Sequence, residues 1–394
     1  MSLDALTEIA PRIGERAGAP LLAPRTLEDL ERCVAFARDA GQRLSPTGNG
    51  TRLALGAQGA GGDAWLHTPA LVPTGESGIL EYVSGDGTLT ARAGASMDTL
   101  RAAVAEGGHR ITPLLPAGST LGGVLAAGRS GPDRQAFGPM RHHVLGMICM
   151  DGNGRVHRSG GRLVKNVTGF DLHRLHAGAQ GRFGVVLEAS LRLVPRAEAE
   201  VLLVSRVLSS TADAARAALH VRDLSGLKLT GLVVEARRVH VLLTGREAQI
   251  DADAARVHSA LDVEEECAGE AATDALLGAW RGDAGLRLLT RPSRCAKVIE
   301  VVAAAGVRED ALSVEPGAAI VVVPAEEAIR CAAALSAETA PRLVELGVTF
   351  DARMPDAPAW CAQPRPGAAA TWTRRLEEAF DPAGVFAPAA RGAR

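Results

Sequence analysis

The stretch that decides the fold is residues 116–195, which holds three glycine-rich runs: PAGSTLGGVLAAGRSG (116–131), DGNGRVHRSGGRLVKNVTGFDL (151–172) and GAQGRFGVVLEASLRLVP (178–195). Because glycine tolerates positive φ and lets a ligand approach bare amides, this clustering predicts a large ligand held by loops. In VLGMICMDGNGRVHRSGG (144–161) two strand-like runs flank a Gly-Asn-Gly turn, as in a tight hairpin. A β-sheet is therefore predicted to hold the loops.

Helix signals precede this stretch. Thr26, with Asp29 three residues later, opens a helix that Gly41 closes, and Ser96 opens another. A strand near Leu44 then leads into a first glycine loop.

The second half of the chain has a lower density of glycine and a regular succession of strand and helix patterns. The order strand-helix-strand-strand-helix is predicted over 199–261 and a similar order over 286–335. This pattern predicts a split βαβ-type domain with an antiparallel sheet and helices on one face. A helix, TWTRRLEEAF, is predicted at 371–380 before the chain folds back on the first domain.

Charge and cysteine spacing exclude several classes of protein. The net charge is −2 and the aromatic content 3%, which argue against nucleic-acid and anionic-membrane binding. Six scattered cysteines show no metal-ligand spacing, so neither a zinc site nor an iron–sulfur cluster is predicted within the chain. No run approaches the ~20 apolar residues of a membrane span. We expect a cytoplasmic protein without a direct membrane span, and peripheral association with the inner membrane through partners stays open.

The first glycine loop, TGNGT (47–51), only partly fits a dinucleotide fingerprint. Gly48 and Gly50 match the first two glycines of G-x-G-x-x-G, but Leu53 occupies the third position and more glycines follow where a helix should begin. A Rossmann site is therefore disfavoured. Exposed amides can still bind a pyrophosphate, and an ordinary surface turn is the alternative.

A resemblance to a known family rests on five segments in order: TGNGT (47–51), PAGSTLGGVLAAGRSGP (116–132), DGNGRVHRSGGRLVKNVTGFDL (151–172), GRFGVVLEASLRLVP (181–195) and FDPAGVFAP (380–388). Together they resemble the PCMH-type FAD-binding domain of the vanillyl-alcohol oxidase superfamily. The segment 126–146, followed by 160–172, is most similar to the FAD-binding E-subunit family of bacterial glycolate oxidase, which stands beside a catalytic D subunit and an iron–sulfur subunit.

The resemblance implies an α+β fold with three parts. Residues 1–197 would form the FAD-binding domain from two α+β subdomains. Residues 198–345 would form an α/β-sandwich cap of ferredoxin-like character that binds substrate or a partner. Residues 346–394 would return to the FAD-binding domain.

The resemblance also implies a set of cofactor-binding residues. The first pyrophosphate loop corresponds to Thr47, Gly48, Asn49, Gly50 and Thr51. The second loop, between diphosphate and flavin ring, corresponds to Pro116, Gly118, Ser119, Thr120, Leu121, Gly122 and Gly123. Further along the cofactor lie Ala126, Ser130 and Gly131, and near the adenine lie Gly184, Val185 and Val186. Backbone amides suit a diphosphate because charge-assisted hydrogen bonds are short and strong, whereas a tight turn without a ligand is the alternative for each glycine.

Noncovalent FAD is expected, because neither loop holds the His or Cys that attaches flavin covalently in some family members. Two positions depart from the family pattern: Phe170 replaces the commoner Tyr, and Ala387 replaces a frequent Asn. Lys165 has two readings. It is either a cation that stabilises the anionic reduced flavin or a lysine that organises its loop.

The catalytic residues are unknown from sequence. The chain lacks the GEHG-type stretch of related D-2-hydroxy-acid dehydrogenases. Its neighbouring histidines, His142 with His143 and His173 with His176, are interpreted as surface or packing residues, so no metal is predicted. Four arginines of the second half could bind a carboxylate, and none is selected: Arg281, Arg287, Arg291 and Arg294.

Three functions stay open. The first is an FAD-binding component of a glycolate-oxidase-like complex, which passes electrons from a small 2-hydroxy acid toward an iron–sulfur partner. The second is a non-catalytic assembly subunit of that complex. The third is a self-sufficient FAD-dependent oxidoreductase acting on an alcohol or sugar acid.

Overall fold

The structure is a computed structural model. It describes residues 4–16, 18–51, 62–162, 170–282, 285–335, 339–346, 348–353 and 367–386. In these ranges, no helix combines the length and apolar character that a bilayer crossing demands. The elements form three main sheets, which confirms the mixed α+β class.

The first sheet has four strands in the order β1-β2-β4-β3, with parallel β2-β4 and β4-β3 pairs. Its elements are α1 (Asp4–Ile9), β1 (Arg12–Arg16), β2 (Ala19–Leu22), α2 (Leu27–Ala40), β3 (Leu44–Thr47) and β4 (Ala64–His67). The predicted caps of α2 are confirmed: Thr26 and Asp29 form a capping box, and Gly41 has φ 66°. The apolar face of α2 packs in the core of this sheet.

The second sheet is antiparallel with the order β5-β6-β10-β8-β9. Its strands are β5 (Ile79–Val83), β6 (Thr88–Arg92), β8 (Val144–Met150), β9 (Val156–Gly160) and β10 (Val185–Arg192). The connecting helices are α3 (Met97–Glu106), α4 (Leu121–Ala127), α5 (Arg134–Phe137) and α6 (His173–His176). A small ribbon pairs β7 (His109–Arg110) with β11 (Val194–Pro195).

Two predictions for this sheet are confirmed. Ser96 caps α3 by accepting a hydrogen bond from the Asp98 amide. The β8-β9 hairpin forms as predicted, and Asp151 stabilises its turn by accepting hydrogen bonds from the amides of Asn153 and Arg155, both at 2.9 Å.

The third sheet, here called the cap sheet, has eight strands in the order β15-β12-β14-β13-β17-β18-β16-β19. Its strands are β12 (Ala199–Ser205), β13 (Leu229–Glu235), β14 (Arg238–Gly245), β15 (Val263–Ala268), β16 (Gly285–Leu289), β17 (Ser313–Glu315), β18 (Ile320–Val323) and β19 (Thr349–Arg353). Its helices are α7 (Thr211–Arg222), α8 (Glu247–Ala260), α9 (Glu270–Ala279), α10 (Cys295–Ala304), α11 (Ala325–Arg330), α12 (Ala332–Ala334) and α13 (Ala340–Glu345).

The predicted recurrence is confirmed by the strand order. Read outward from the β13-β17 pair, both halves have the same arrangement, with β14, β12 and β15 on one side and β18, β16 and β19 on the other. The ferredoxin-like character of this sheet stays a prediction. The strand β19 pairs with β16, so this part of the segment assigned to the C-terminal return belongs to the cap sheet.

The two faces of the cap sheet differ from the prediction in one respect. The helices α7, α8 and α10 cover one face, as predicted. The helix α9 lies on the other face, where Leu276 joins the core beneath the second sheet. The prediction of helices on one face was therefore wrong, because this second face also buries apolar side chains such as Leu202 and Leu242.

The C-terminal helix α14 (Gly367–Phe380) contains the predicted segment. The end of this helix and the chain after it contact the second and first sheets: the carbonyl of Phe380, the last helical residue, accepts from the Gly152 amide at 2.8 Å, and the Val385 carbonyl accepts from the Leu44 amide at 2.6 Å. Phe386 is buried in the core of the first sheet.

Candidate functional site

A cleft that opens to solvent lies between the first and second sheets and is called the cavity below. Eight of the predicted cofactor residues line it: Thr47, Gly48, Gly122, Gly123, Ala126, Gly184, Val185 and Val186. Sequence reasoning missed five further lining residues, which are Pro46, Thr68, His176, Ala179 and Gly181.

The small residues of α4 leave one side of the cavity bare. Gly122, Gly123 and Ala126 share one helix face, whereas Leu121 and Val124 are buried in the core. Thr120 caps this helix by accepting from the Gly123 amide at 3.2 Å. A ligand can therefore lie close to the helix backbone.

The two glycine loops touch each other beside the cavity. The Asn49 side chain donates a hydrogen bond to the Gly118 carbonyl at 3.0 Å, and the hydroxyls of Thr51 and Ser119 lie 3.4 Å apart. A Cβ on Gly48 would come within 2.1 Å of the Thr120 hydroxyl oxygen, so only glycine permits this approach. The structure thus brings together segments that are about 70 residues apart.

Many amides of the second loop are already engaged within the protein. The amide of Gly118 donates to Asp98 at 2.8 Å. The amides of Leu121 and Gly122 donate to the carbonyls of Ala95 and Ala93 at 3.0 and 2.7 Å. These amides hold the loop in position, and they are not the free donors that sequence reasoning assigned to a diphosphate.

Two arginines supply positive charge near the loops, and sequence reasoning missed both. Arg16, from β1, donates to the Thr47 hydroxyl at 2.7 Å, and its guanidinium lies against Gly50. Partial burial lowers the pKa of Arg16, a guanidinium that stays charged. Arg129 is buried and donates to the Ser119 hydroxyl. Each cation is held by a loop residue, so both loops carry charge suited to an anionic ligand.

Ten predicted cofactor residues do not line the cavity: Asn49, Gly50, Thr51, Pro116, Gly118, Ser119, Thr120, Leu121, Ser130 and Gly131. Seven of them take part in the loop contacts described above, Leu121 through its amide alone. Pro116 is exposed, and Leu121 is fully buried. Ser130 and Gly131 lead toward α5: Ser130 accepts from Arg134 at 3.4 Å, and a Cβ on Gly131 would lie 1.9 Å from the Leu114 carbonyl oxygen.

The histidines considered from sequence lie in different environments. His142 is exposed, whereas His143, His173 and His176 are buried. Burial, and then the neighbouring His157 and His173, lower the pKa of His176 to about 4, so the ring in the cavity wall is neutral at physiological pH.

Two positions noted from sequence lie outside the described residues, namely Lys165 and Ala387. Phe170 is described and is 88% exposed.

The cap sheet presents a buried charge pair toward the second sheet. Strand register places Arg287 and Glu315 on the face opposite Val321. Glu315 accepts a hydrogen bond from the Trp280 indole at 3.0 Å. Burial raises the pKa of Glu315, and the charge of Arg287 opposes this rise. Helix α5 lies nearby, since a Cβ on Gly317 would meet the Gln135 side chain at 1.8 Å.

Among the four arginines weighed from sequence, Arg287 alone is buried, at 4% exposure. Arg281 lies 3.9 Å from Glu235, and Arg294 donates to the Leu346 carbonyl at 2.6 Å. Arg291 is exposed. The charge of Arg287 faces a carboxylate of its own sheet, so it is balanced before any substrate binds.

Glu235, on the same face of the cap sheet, predicts a pH-dependent stability. Its side chain is 17% exposed, and burial raises its pKa from 4.5 to about 7. Between these values the folded chain retains a proton that the unfolded chain releases, so stability falls as pH rises from about 4.5 to 7. We expect Glu235→Gln to gain about 2–3 kcal/mol relative to wild type across this window.

Urea unfolding of both proteins at several pH values measures this difference. The exposed Glu31→Gln in α2 is the control for the loss of a surface carboxylate. A constant difference for Glu235→Gln would show that this carboxyl titrates at its ordinary value.

Comparison with known proteins agrees with this geometry. Residues 19–160 match the family model described as an FAD binding domain. Structures of alkyldihydroxyacetonephosphate synthase align with 95% and 94% of the chain, at TM-scores of 0.64 and 0.65 and 13% and 12% identity, which shows a shared fold. The chain therefore contains a PCMH-type FAD-binding domain, and FAD is its cofactor.

Its curated relatives include proteins named as oxidase subunits and dehydrogenases. The chain is 31% identical to the glycolate oxidase subunit GlcE of Escherichia coli over 50% of its own length and 57% of that protein. It is 30% identical to the glycolate oxidase subunit GlcD of Bacillus subtilis over 55% of its length and 44% of the relative. It is 28% identical to the D-2-hydroxyglutarate dehydrogenase of Xanthomonas citri over 64% of its own length and 52% of that protein. The chain thus spans about half the length of these relatives.

The described residues fit FAD on three structural grounds. The cavity wall is bare along α4, the two loops meet at its side, and each loop carries an arginine. These features suit a long cofactor that bears two phosphates.

Proposed function

We propose that this chain is the FAD-binding subunit of a glycolate-oxidase-like complex. In this complex it takes part in the oxidation of a 2-hydroxy acid of the glycolate or D-lactate type, beside a catalytic FAD subunit, and passes electrons toward an iron–sulfur partner subunit. The observation that carries the proposal is the contact between the two glycine loops at the cavity of the FAD-binding domain. The names of the relatives support the substrate class and the assembly.

The proposed division of labour follows from the residues. The loops around Thr47–Thr51 and Gly118–Gly123 would hold the cofactor noncovalently, with Arg16 and Arg129 balancing its phosphates. Bound FAD would supply the electron acceptor for oxidation of the hydroxyl-bearing carbon. The domain division at 197/198 and 345/346 belongs to this proposal, with the cap sheet facing a substrate or a partner.

One observation favours a second candidate, an assembly subunit without its own substrate site. A 2-hydroxy acid needs a cation for its carboxylate, and the buried arginine of the cap sheet, Arg287, is already balanced by Glu315. Such a subunit would keep FAD for stability and support the catalytic partner.

The test follows the redox state of the flavin bound to this chain separately from any flavin bound to a partner subunit. The chain is loaded with 8-chloro-FAD, whose absorbance differs from that of FAD, and glycolate or D-lactate is added without oxygen. We expect reduction only when the catalytic and iron–sulfur partners are also present. Acetate, which lacks the hydroxyl, is the control substrate.

Two outcomes would replace the proposal. Reduction of the isolated chain by a hydroxy acid, alcohol or sugar acid would identify a self-sufficient oxidoreductase. An active complex in which the 8-chloro-FAD never changes its redox state would identify the assembly subunit.

A further inference from the structure

Three potential metal ligands meet beside the cavity, which one of them, His176, also lines, and we propose that they bind a Zn²⁺ ion. They are the Cys149 sulfur and one ring nitrogen each of His157 and His176, and all three atoms lie within 4.8 Å of one another. The two histidines approach through their Nε2 atoms, 3.3 Å apart. Thiolate and imidazole are the ligands that Zn²⁺ prefers in proteins.

The fold places these residues together from three elements. Cys149 in β8 and His157 in β9 are direct partners in the antiparallel ladder, so their side chains point to the same face. His176 ends α6, which packs against β8. Val186 pairs with Cys149 from the other side, so the hairpin is fixed within the sheet.

The distances agree with tetrahedral coordination. Two nitrogens that each lie ~2.0–2.1 Å from a tetrahedral Zn²⁺ are separated by about 3.3–3.4 Å. The observed Nε2 to Nε2 distance is 3.3 Å, and the centroids of the two rings are 5.4 Å apart. A hydrogen bond between two neutral imidazoles would give a similar distance, so the cysteine is the discriminating ligand.

Metal binding requires each ligand to be in its unprotonated form. Zn²⁺ binds the neutral imidazole of a histidine and the thiolate of a cysteine. Binding would therefore form the zinc–sulfur bond, break the S–H bond of Cys149 and release that proton to solvent.

The environment also restricts access to one side. Cys149 and His176 are buried, at 1% and 3% exposure, and the rings of Phe183 and Phe380 pack against His176. His157 is half-buried and offers the route of entry. Because His176 also lines the cavity, a bound ion would join β8, β9 and α6 at the cavity wall.

The experiment uses the full chain, without an affinity tag and after treatment with a chelator. Co²⁺ is the probe, because a cobalt–thiolate bond gives a charge-transfer band that two histidines alone cannot produce. We expect one equivalent of Co²⁺ to produce this band and Zn²⁺ to displace it, both with and without FAD. Metal analysis of the Zn²⁺-loaded protein should find one ion per chain.

Single substitutions test which side chains bind the metal ion. Cys149→Ala should abolish the thiolate band, and His157→Ala, at the half-buried position, should weaken binding more than about 100-fold, since loss of outer partners alone costs roughly 10- to 100-fold. Cys33→Ala, at another buried cysteine whose pKa is about 12, should bind like wild type. If folded wild type shows no thiolate band, or if His157→Ala keeps full affinity, the site does not exist.

Discussion

Replacing Ala126 by Phe is expected to lower the affinity for FAD by at least about 100-fold, equivalent to ~2.7 kcal/mol, while the chain stays folded. Ala126 lies on the face of α4 that lines the cavity between the first and second sheets. A phenyl ring there would occupy space that the cofactor needs. The core contacts of α4 come from Leu121 and Leu125 on its other side, so the fold should tolerate the change.

Equilibrium titration with FAD, followed by flavin fluorescence, measures this loss. Ala102→Phe, at an exposed position of α3 in the same domain, is the matched control and should bind FAD as wild type does. Circular dichroism shows whether both variants are folded. Unchanged affinity in a folded Ala126→Phe protein would place the cofactor elsewhere.

Arg287→Met is expected to lower the free energy of unfolding by about 3–5 kcal/mol, because it removes the larger of the two arginine charges, Arg287 and Arg134, that favour the ionised form of the buried Glu315 carboxyl. Glu315 is 3% exposed. Among the side-chain hydrogen bonds described for it, the one from the Trp280 indole would remain in this variant. A methionine fills most of the arginine volume, so the loss reports charge more than packing.

The double variant Arg287→Met/Glu315→Gln separates charge from packing. Because it removes both charges, it should recover most of the loss in urea unfolding. Recovery of the free energy of unfolding would show that the fold does not require this charge pair. If the double variant is as unstable as Arg287→Met alone, the arginine acts through packing or through other partners.

Local features of the fold were predictable because their causes are local. The capping box of α2 and the turn of the β8-β9 hairpin depend on residues two to four positions apart. The helix α9 was missed, since its burial on the second face of the cap sheet depends on Leu202 and Leu242 from distant strands.

The candidate site was predictable only in part. Glycine runs indicated the two loops, but the hydrogen bond from Asn49 to Gly118 depends on how two sheets pack. Arg16 reaches the first loop from a separate strand, and no motif in the sequence indicates this.

Strand register brings together potential metal ligands that the sequence does not show as a group. Cys149, His157 and His176 have no metal-ligand spacing in sequence, so no metal was predicted. The pairing of β8 with β9 and the packing of α6 bring their donor atoms within 4.8 Å. Spacing in the sequence indicates metal ligands that lie on one turn or one helix. Ligands that face each other across two paired strands can be identified only once the strand register is known.

Titration of the purified, cofactor-free chain with FAD tests the central claim most directly. The loops and the cavity predict saturable binding of one FAD per chain, and acid precipitation should release all of this flavin into the supernatant because the attachment is noncovalent. A well-folded chain that binds no FAD would contradict the account.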